Sequence, residues 1–419
     1  MEGAGGCCLQ ILRATLPVIV ITLLLSTVIC KPVDAANKAS RLADAHFLQH
    51  GVRLPTHEFL AAMAEAAVDI RHLSCRKSLV LLGMANEEAL NKTVPVFLMS
   101  LSRVKITGGR HRGRTLDQHL VLVAWSEAAM AACKALNGQF DHKCVRDPEH
   151  KAATGSFGFH SEGFNALGFA KIKYILNGLS AGHDVVFLDT DIIVLQDPLP
   201  YFLGRGADMW AAHEKCVIWD DRANMLSLPP ELQAVHKKLP PLNIGVLYFK
   251  ATAGVTRCVY SWIFDMYIEV PKRPRVWDQD IYGKILLRCG ASHGLRWQAL
   301  DPRLFQSACF PNCGCTFPDA ATKEPELVGH NSKGHRFVGE YECEPRHWLG
   351  EGGEGDEDED EGAAGGGGGA GQDGSRPWLM RHFPCSGSTA DKAEFMSNML
   401  EGVLHHKNAK ITRRVKRRL

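Results

Sequence analysis

Two aspartates one residue apart, Asp189 and Asp191 in Asp189-Thr190-Asp191, follow the uncharged run Val185-Val186-Phe187-Leu188. In an extended segment, side chains two apart point to the same face. The two carboxylates therefore leave the carboxyl end of a buried strand together, where open α/β sheets place their ligands. Such a pair suits Mn²⁺ or Mg²⁺, hard cations that take oxygen ligands and bind phosphates. A metal bridging the oxygens of a departing diphosphate neutralises its developing charge. The spacing alone is not specific. With Asp at about 5% of residues, a chain this long holds roughly one such pair by chance, and Asp278-Gln279-Asp280 repeats it. A pair of turn or capping carboxylates would look the same.

The elements that position the pair are legible from periodicity. Leu79-Val80-Leu81-Leu82 followed by Gly83 reads as a buried strand. Residues 87–103 have helical composition interrupted by Pro95. His119–Trp125 reads as a strand, and Ser126 is placed to cap a helix over Glu127–Leu136. Ser161–Leu179 carries apolar residues at helical spacing, and Asp184–Leu188 is the strand that ends on the aspartate pair. In the second half, Leu247–Phe249 and Leu295–Leu300 read as strands and Cys258–Ile268 as a helix. Strands alternating with helices predict an α/β domain with a largely parallel sheet.

The remaining features bear on compartment. The chain has 419 residues and a net charge of +2, so no global field favours nucleic acid, and none is expected as a partner. Residues 14–30 carry no charge, between Arg13 and Lys31. With Leu9–Leu12 added, the run nearly spans a bilayer. It reads as a signal anchor over residues 9–30 behind a short tail at 1–8. The alternative is a cleaved signal peptide ending near Val33-Asp34-Ala35. Either sends the chain into the secretory pathway, where, of the 14 cysteines, the 11 beyond Cys7, Cys8 and Cys30 would face an oxidising lumen; as 11 is odd, at least one stays free or pairs with another chain. A local disulfide is expected within Cys309, Cys313 and Cys315. Asn91-Lys92-Thr93 is a glycosylation sequon. Residues 31–75 read as a stem. Residues 348–376, with the acidic run 356–361 and the glycine run 365–369, read as a disordered insertion. The segment 377–419 ends in a basic tail.

Four blocks, in order, resemble the nucleotide-diphospho-sugar transferases of glycosyltransferase family 77. They are Lys171-Ile-Lys-Tyr-Ile-Leu176, Val185-Val-Phe-Leu-Asp-Thr-Asp-Ile-Ile-Val-Leu-Gln-Asp-Pro198, Leu242-Asn-Ile-Gly-Val-Leu-Tyr-Phe249 and Trp277-Asp-Gln-Asp280. The resemblance covers residues 76–347 and implies a GT-A fold, a Rossmann-like nucleotide half joined to an acceptor half. It implies a metal-dependent, retaining transfer of arabinose, galactose or xylose from a UDP-sugar to a hydroxyl of a cell-wall glycoprotein or polysaccharide. The setting implied is the Golgi membrane, with the catalytic domain lumenal.

By that resemblance, Asp191 binds the metal and Asp189 touches either the metal or the ribose. His330, in Gly329-His330-Asn331, stands where a late histidine ligand is expected. Lys171 lies on the family's lysine-bearing helix. Asn243 and Gly245 form the floor near the sugar, and Ala85 and Asn86 contact the uracil or ribose. Asp278, Gln279 and Asp280 orient the donor sugar or the acceptor hydroxyl, although acids there would equally stabilise a helix N-terminus. Two other classes share some of these features. In haloacid-dehalogenase-like phosphatases the first Asp of such a pair is a nucleophile, but Thr or Val usually stands where this chain has Ile193. A non-catalytic glycan-binding protein could also keep the fold.

Overall fold

The computed structural model describes residues 55–72, 75–148, 161–204, 206–213, 242–273, 275–301, 304–307, 327–330, 336–338 and 378–401. The proposed anchor at 9–30, the acidic insertion, the cluster Cys309, Cys313 and Cys315, and the basic tail lie outside the described residues.

Helix α1 (His57–Ala66) leads into β1 (Val68–His72) and the long β2 (Cys75–Ala85). Then come α2 (Glu87–Asn91), α3 (Thr93–Arg103), β3 (Leu120–Ala124), α4 (Glu127–Leu136) and β4 (Lys143–Arg146). The lysine-bearing helix is α5 (Glu162–Ser180), followed by β5 (His183–Leu188), β6 (Ile192–Val194), α6 (Leu199–Gly204) and β7 (Met209–His213). The second half contains β8 (Leu242–Phe249), α7 (Ala253–Glu269), α8 (Asp278–His293), β9 (Trp297–Ala299) and β10 (Phe305–Ser307). Three short strands close the series: β11 (Leu327–His330), β12 (Arg336–Val338) and β13 (Met380–His382). Residues 389–401 are helical.

The main sheet has eight strands in the order β4-β3-β2-β5-β8-β7-β9, with β1 paired to the first half of β2. From β4 to β5 neighbouring strands are parallel. Beyond β5 the direction changes: β8 runs antiparallel to β5 and to β7, while β9 is parallel to β7. The sheet is therefore mixed, not the largely parallel one that alternation of strands and helices predicted. A strand buried on both faces, as β8 is at every position, has the same apolar composition whichever way it runs.

Side chains alternate across this sheet into two cores. Val80, Leu82, Val185 and Phe187 face a layer built from α1, α5, α7 and α8. Leu79, Leu81, Val186 and Leu188 face α2, α3, α4, α6 and the strands β6 and β13. Helix α1, read from sequence as part of a stem, packs Phe59, Met63 and Ala66 into the first core. Disulfides join Cys133 to Cys144, between α4 and β4, and Cys258 to Cys289, between α7 and α8.

A second sheet matters most for the site. Strand β13 pairs antiparallel with β6, with His382 opposite Ile192, and parallel with β10. The C-terminal segment thus returns to the chain just after the aspartate pair, and Phe383 N–H donates to the Asp191 carbonyl at 2.9 Å. Strands β11 and β12 form a separate two-stranded ribbon.

Candidate active site

Strand β5 ends at Leu188, and Asp189 is held in place by its N–H, which donates to the Gly245 carbonyl of β8 at 2.8 Å. Asp189 and Asp191 then sit at the carboxyl end of the parallel strands with His382 between them. His382 Nε2 is 3.0 Å from Asp191 Oδ1 and 3.8 Å from Asp189 Oδ2. One ligand atom from each of the three residues lies within 4.8 Å of the others. Two carboxylates and an imidazole form a donor set suited to a hard or borderline divalent cation such as Mn²⁺. His382 Nδ1 is buried and has no hydrogen-bond partner among the described residues, so no bond of that nitrogen fixes which ring nitrogen faces the carboxylates. The group fits a divalent-metal site.

Two lysines complete the charge pattern. Lys171 of α5 is buried, with its Nζ 3.0 Å from Asp189 Oδ1 and also donating to the Ile244 carbonyl at 3.4 Å. Burial works against its cation, but Asp189 and then Asp278 outweigh that and raise its pKa. Lys392, on the C-terminal helical run, donates to Asp191 Oδ2 at 2.7 Å. Burial alone would raise the Asp191 carboxyl. His382 and Lys392 beside it hold it well below the usual carboxylate range.

The structure brings Lys171, Asp189, Asp191, Asn243, Gly245, Asp278 and Gln279 together. Asn243 Oδ1 accepts from Gly245 N–H at 2.9 Å, and Gln279 Oε1 accepts from Ile244 N–H at 3.3 Å. These two amides thus brace the strand that forms the floor of the site. Gly245 has a specific reason to lack a side chain, because a Cβ there would fall 2.7 Å from both ring nitrogens of His382. Beside that ring is a recess lined by Ala212, Asn243, Val246, Gln306 and Met380.

Among the described residues, the histidine grouped with the aspartates is His382. His330 ends β11 in the separate ribbon, in backbone register with Arg336. The family resemblance points to a histidine near the end of the four blocks; pairing of β13 with β6 brings His382 from beyond them. Asp280 is exposed and accepts from Trp277 N–H at 3.4 Å, capping α8, which is the helix-end role that acids favour. Asn86, immediately after Ala85 at the end of β2, caps α2 by accepting from Ala89 N–H at 2.9 Å. Lys392 was not anticipated at all.

Asp278 carries a measurable consequence. It is buried at the start of α8, close enough to α5 that a Cβ on Gly168 would fall 2.9 Å from its carboxyl carbon. Burial pushes this carboxyl up and Lys171 pulls it back, leaving it at about 6. An unfolded aspartate titrates near ~3.9. Between those values the unfolded chain releases a proton that the folded chain keeps. Stability from this group is therefore fully present below about pH 4 and is lost as pH rises through about 6. In Asp278→Asn, the difference in unfolding free energy between pH 4 and pH 7 should shift by on the order of 2 kcal/mol. Urea titrations at the two pH values check this, and an unchanged difference would count against it.

The geometry can be set beside known proteins. The profile of the nucleotide-diphospho-sugar transferase family matches residues 115–329, just over half of the chain. The arabinosyltransferase XEG113 of Arabidopsis thaliana is 26% identical over 148 residues, which are 34% of this chain and 21% of that protein. The match thus spans about a fifth of the relative's length. Among solved structures, mouse xyloside xylosyltransferase 1 is 19% identical, with a TM-score of 0.32 over 55% of this chain and 88% of that one. The galactosyltransferase LgtC, solved with donor and acceptor sugar analogues, is 12% identical, with a TM-score of 0.40 over 77% of this chain and 95% of that one.

Proposed function

Because the chain belongs to the nucleotide-diphospho-sugar transferase family, we propose that it is a metal-dependent glycosyltransferase of GT-A type that moves a sugar from a UDP-sugar to a hydroxyl acceptor with retention of configuration. The observation that carries this reading is the grouping of Asp189, Asp191 and His382 at the carboxyl end of the parallel strands. Membership of this family sets the phosphatase alternative aside.

On this reading Asp191 and His382 hold a Mn²⁺ or Mg²⁺ ion, with Asp189 as third ligand or ribose contact. The ion, when bound, neutralises charge on the diphosphate. The chain's own groups do the remaining work. Lys392, paired with Asp191, lies where it can turn its ammonium to a diphosphate oxygen once the carboxylate has another cation partner. Lys171, itself buried, fixes the Asp189 carboxylate through an ion pair at 3.0 Å. Gln279 and Asn243 hold β8 in register so that the sugar meets a fixed floor, and positioning of this kind contributes much of the rate. Asp278 lies beside Lys171. The acceptor hydroxyl attacks from the side that the diphosphate leaves, and a diphosphate oxygen takes its proton. The setting proposed is the Golgi membrane, with residues 9–30 as anchor and a glycoprotein or polysaccharide as acceptor.

A donor-hydrolysis screen of the purified chain tests this. UDP release from UDP-arabinose, UDP-galactose and UDP-xylose is measured with Mn²⁺ and with a chelator; the name of the plant relative motivates the first donor. Release from at least one donor should fall by a hundredfold or more on chelation, the scale of several kcal/mol expected of a metal at a leaving group. Equal release with the chelator would overturn the metal assignment. No release from any donor, alongside tight UDP–Mn²⁺ binding, would favour a binding protein that kept the family's site.

A further inference from the structure

Residues 103–114 contain five cations, Arg103, Lys105, Arg110, Arg112 and Arg114, and no acidic residue, in a chain whose net charge is only +2. All five are exposed. Arg103 ends α3, and the other four are carried on the ordered hairpin that follows: Ile106 N–H donates to the Arg114 carbonyl at 2.8 Å and Gly113 N–H to the Ile106 carbonyl at 2.9 Å. Gly109 and Gly113 turn the chain at φ 71° and 89°, a region few other residues adopt.

The hairpin is fastened at two places. Arg110 pairs with Asp69 at 3.3 Å. The Thr107 N–H and hydroxyl both donate to Asp197 Oδ2, at 2.7 and 2.8 Å. Asp197 lies on the segment that leaves the metal-binding pair. Asp191 to Asp197 is six steps along the chain, so the hairpin's anchor is at most ~20 Å from the site. Arg103, Lys105, Arg112 and Arg114 have no acidic partner among the described residues. Like charges held together in this way repel one another and lower the stability of the compact state, and an anionic partner relieves that repulsion.

We propose that this hairpin binds a polyanionic glycan, a sugar chain bearing carboxylates or sulfates, which presents the acceptor hydroxyl to the site. Arginine dominates the patch, and its planar fork matches carboxylate and sulfate oxygens two at a time. Residues 103–114 include no Phe, Tyr or Trp, so the hairpin lacks the stacking platform that single-stranded nucleic acid uses. Its apolar residues Val104 and Ile106 are buried, leaving none to enter a bilayer. The acceptor half of this inference rests on the transferase reading above; the binding surface does not.

Binding of the full chain to immobilised polygalacturonate, dextran sulfate, neutral dextran and single-stranded DNA tests it by interferometry. The first two separate carboxylate from sulfate recognition. The wild type should bind at least one of them about tenfold or more tightly than neutral dextran and more tightly than DNA, with affinity falling as salt rises. R103Q/K105Q/R112Q/R114Q should lose about tenfold or more of that affinity, while UDP release with water as acceptor stays unchanged. R112Q/R114Q carries the same test if the fourfold variant misfolds. Equal glycan binding by variant and wild type overturns the proposal, as does DNA binding as tight as that of either glycan. Intact hairpin-dependent binding without UDP release sinks the transferase reading and the acceptor role, and leaves the glycan surface standing.

Discussion

Replacing Asp191 by alanine is expected to lower metal-dependent UDP release by about a thousandfold or more. Among the described residues, Asp191 is the one whose side chain meets both His382, through Oδ1, and Lys392, through Oδ2. On the proposed reading, removing it takes away a metal ligand and leaves an imidazole and an ammonium facing each other in a half-buried site. Breaking one partner of such a group costs about 3–5 kcal/mol, and loss of the cation from a diphosphate leaving group costs several kcal/mol of transition-state stabilisation. About 4 kcal/mol corresponds to roughly three orders of magnitude in rate. Asp191→Asn separates ligand loss from collapse of the β6–β13 pairing, since it keeps the size of the side chain. The backbone carbonyl that accepts from Phe383 is untouched in both variants. Both should lose Mn²⁺ binding by calorimetry while keeping a single cooperative thermal transition, lowered by roughly ten degrees. Activity within tenfold of wild type in either variant would show that Asp191 is not a ligand.

Gly245→Ala is expected to cost about a hundredfold in metal affinity and in turnover, although the substitution adds only a methyl group. Gly245 lies in the middle of β8, a strand buried along its whole length between β5 and β7. Its carbonyl already accepts from Asp189 N–H, so the backbone has little freedom to retreat. The added carbon would fall within 2.7 Å of the ring nitrogens of His382. Either the ring swings off Asp191 or β8 shifts beneath Asp189, and both spoil the ligand set. Losses of about tenfold to a hundredfold in metal affinity are usual when ligand-orienting contacts are removed. A double-mutant cycle with His382→Ala decides the cause. If the methyl acts through the histidine, Gly245→Ala adds little in the His382→Ala background. Fully additive losses would show that the glycine serves something else.

Much of the sheet from β4 to β5 was legible because its signals are local. The uncharged run before Asp189, the helical spacing after Ser161 and the cap at Ser126 each depend on a dozen residues or fewer. Strands β2, β3 and β5 fall where apolar runs placed them. The direction of β8 was not legible, since uniform burial leaves no periodicity to read. His382 was hidden for a different reason. It reaches Asp191 through pairing of β13 with β6, two three-residue strands almost two hundred positions apart, and no local pattern encodes such a partner. Asn86 and Asp280 show the converse. Their residue types suit a ligand contact and a helix cap equally, and only the hydrogen bonds reveal that the side chains cap helices.

The β6–β13 pairing also sets an order of events during synthesis. Domains form from the N-terminus as the chain emerges, and every strand of the main sheet is complete by Ala299. His382 and Lys392 arrive some ninety residues later. A nascent chain, or one cut short in the glycine-rich stretch, can therefore hold its main sheet and still lack half of what surrounds Asp191. On the proposed reading, catalytic competence is the last property this polypeptide acquires, and a chain stopped short of residue 382 is expected to keep the aspartates and lose the activity they serve.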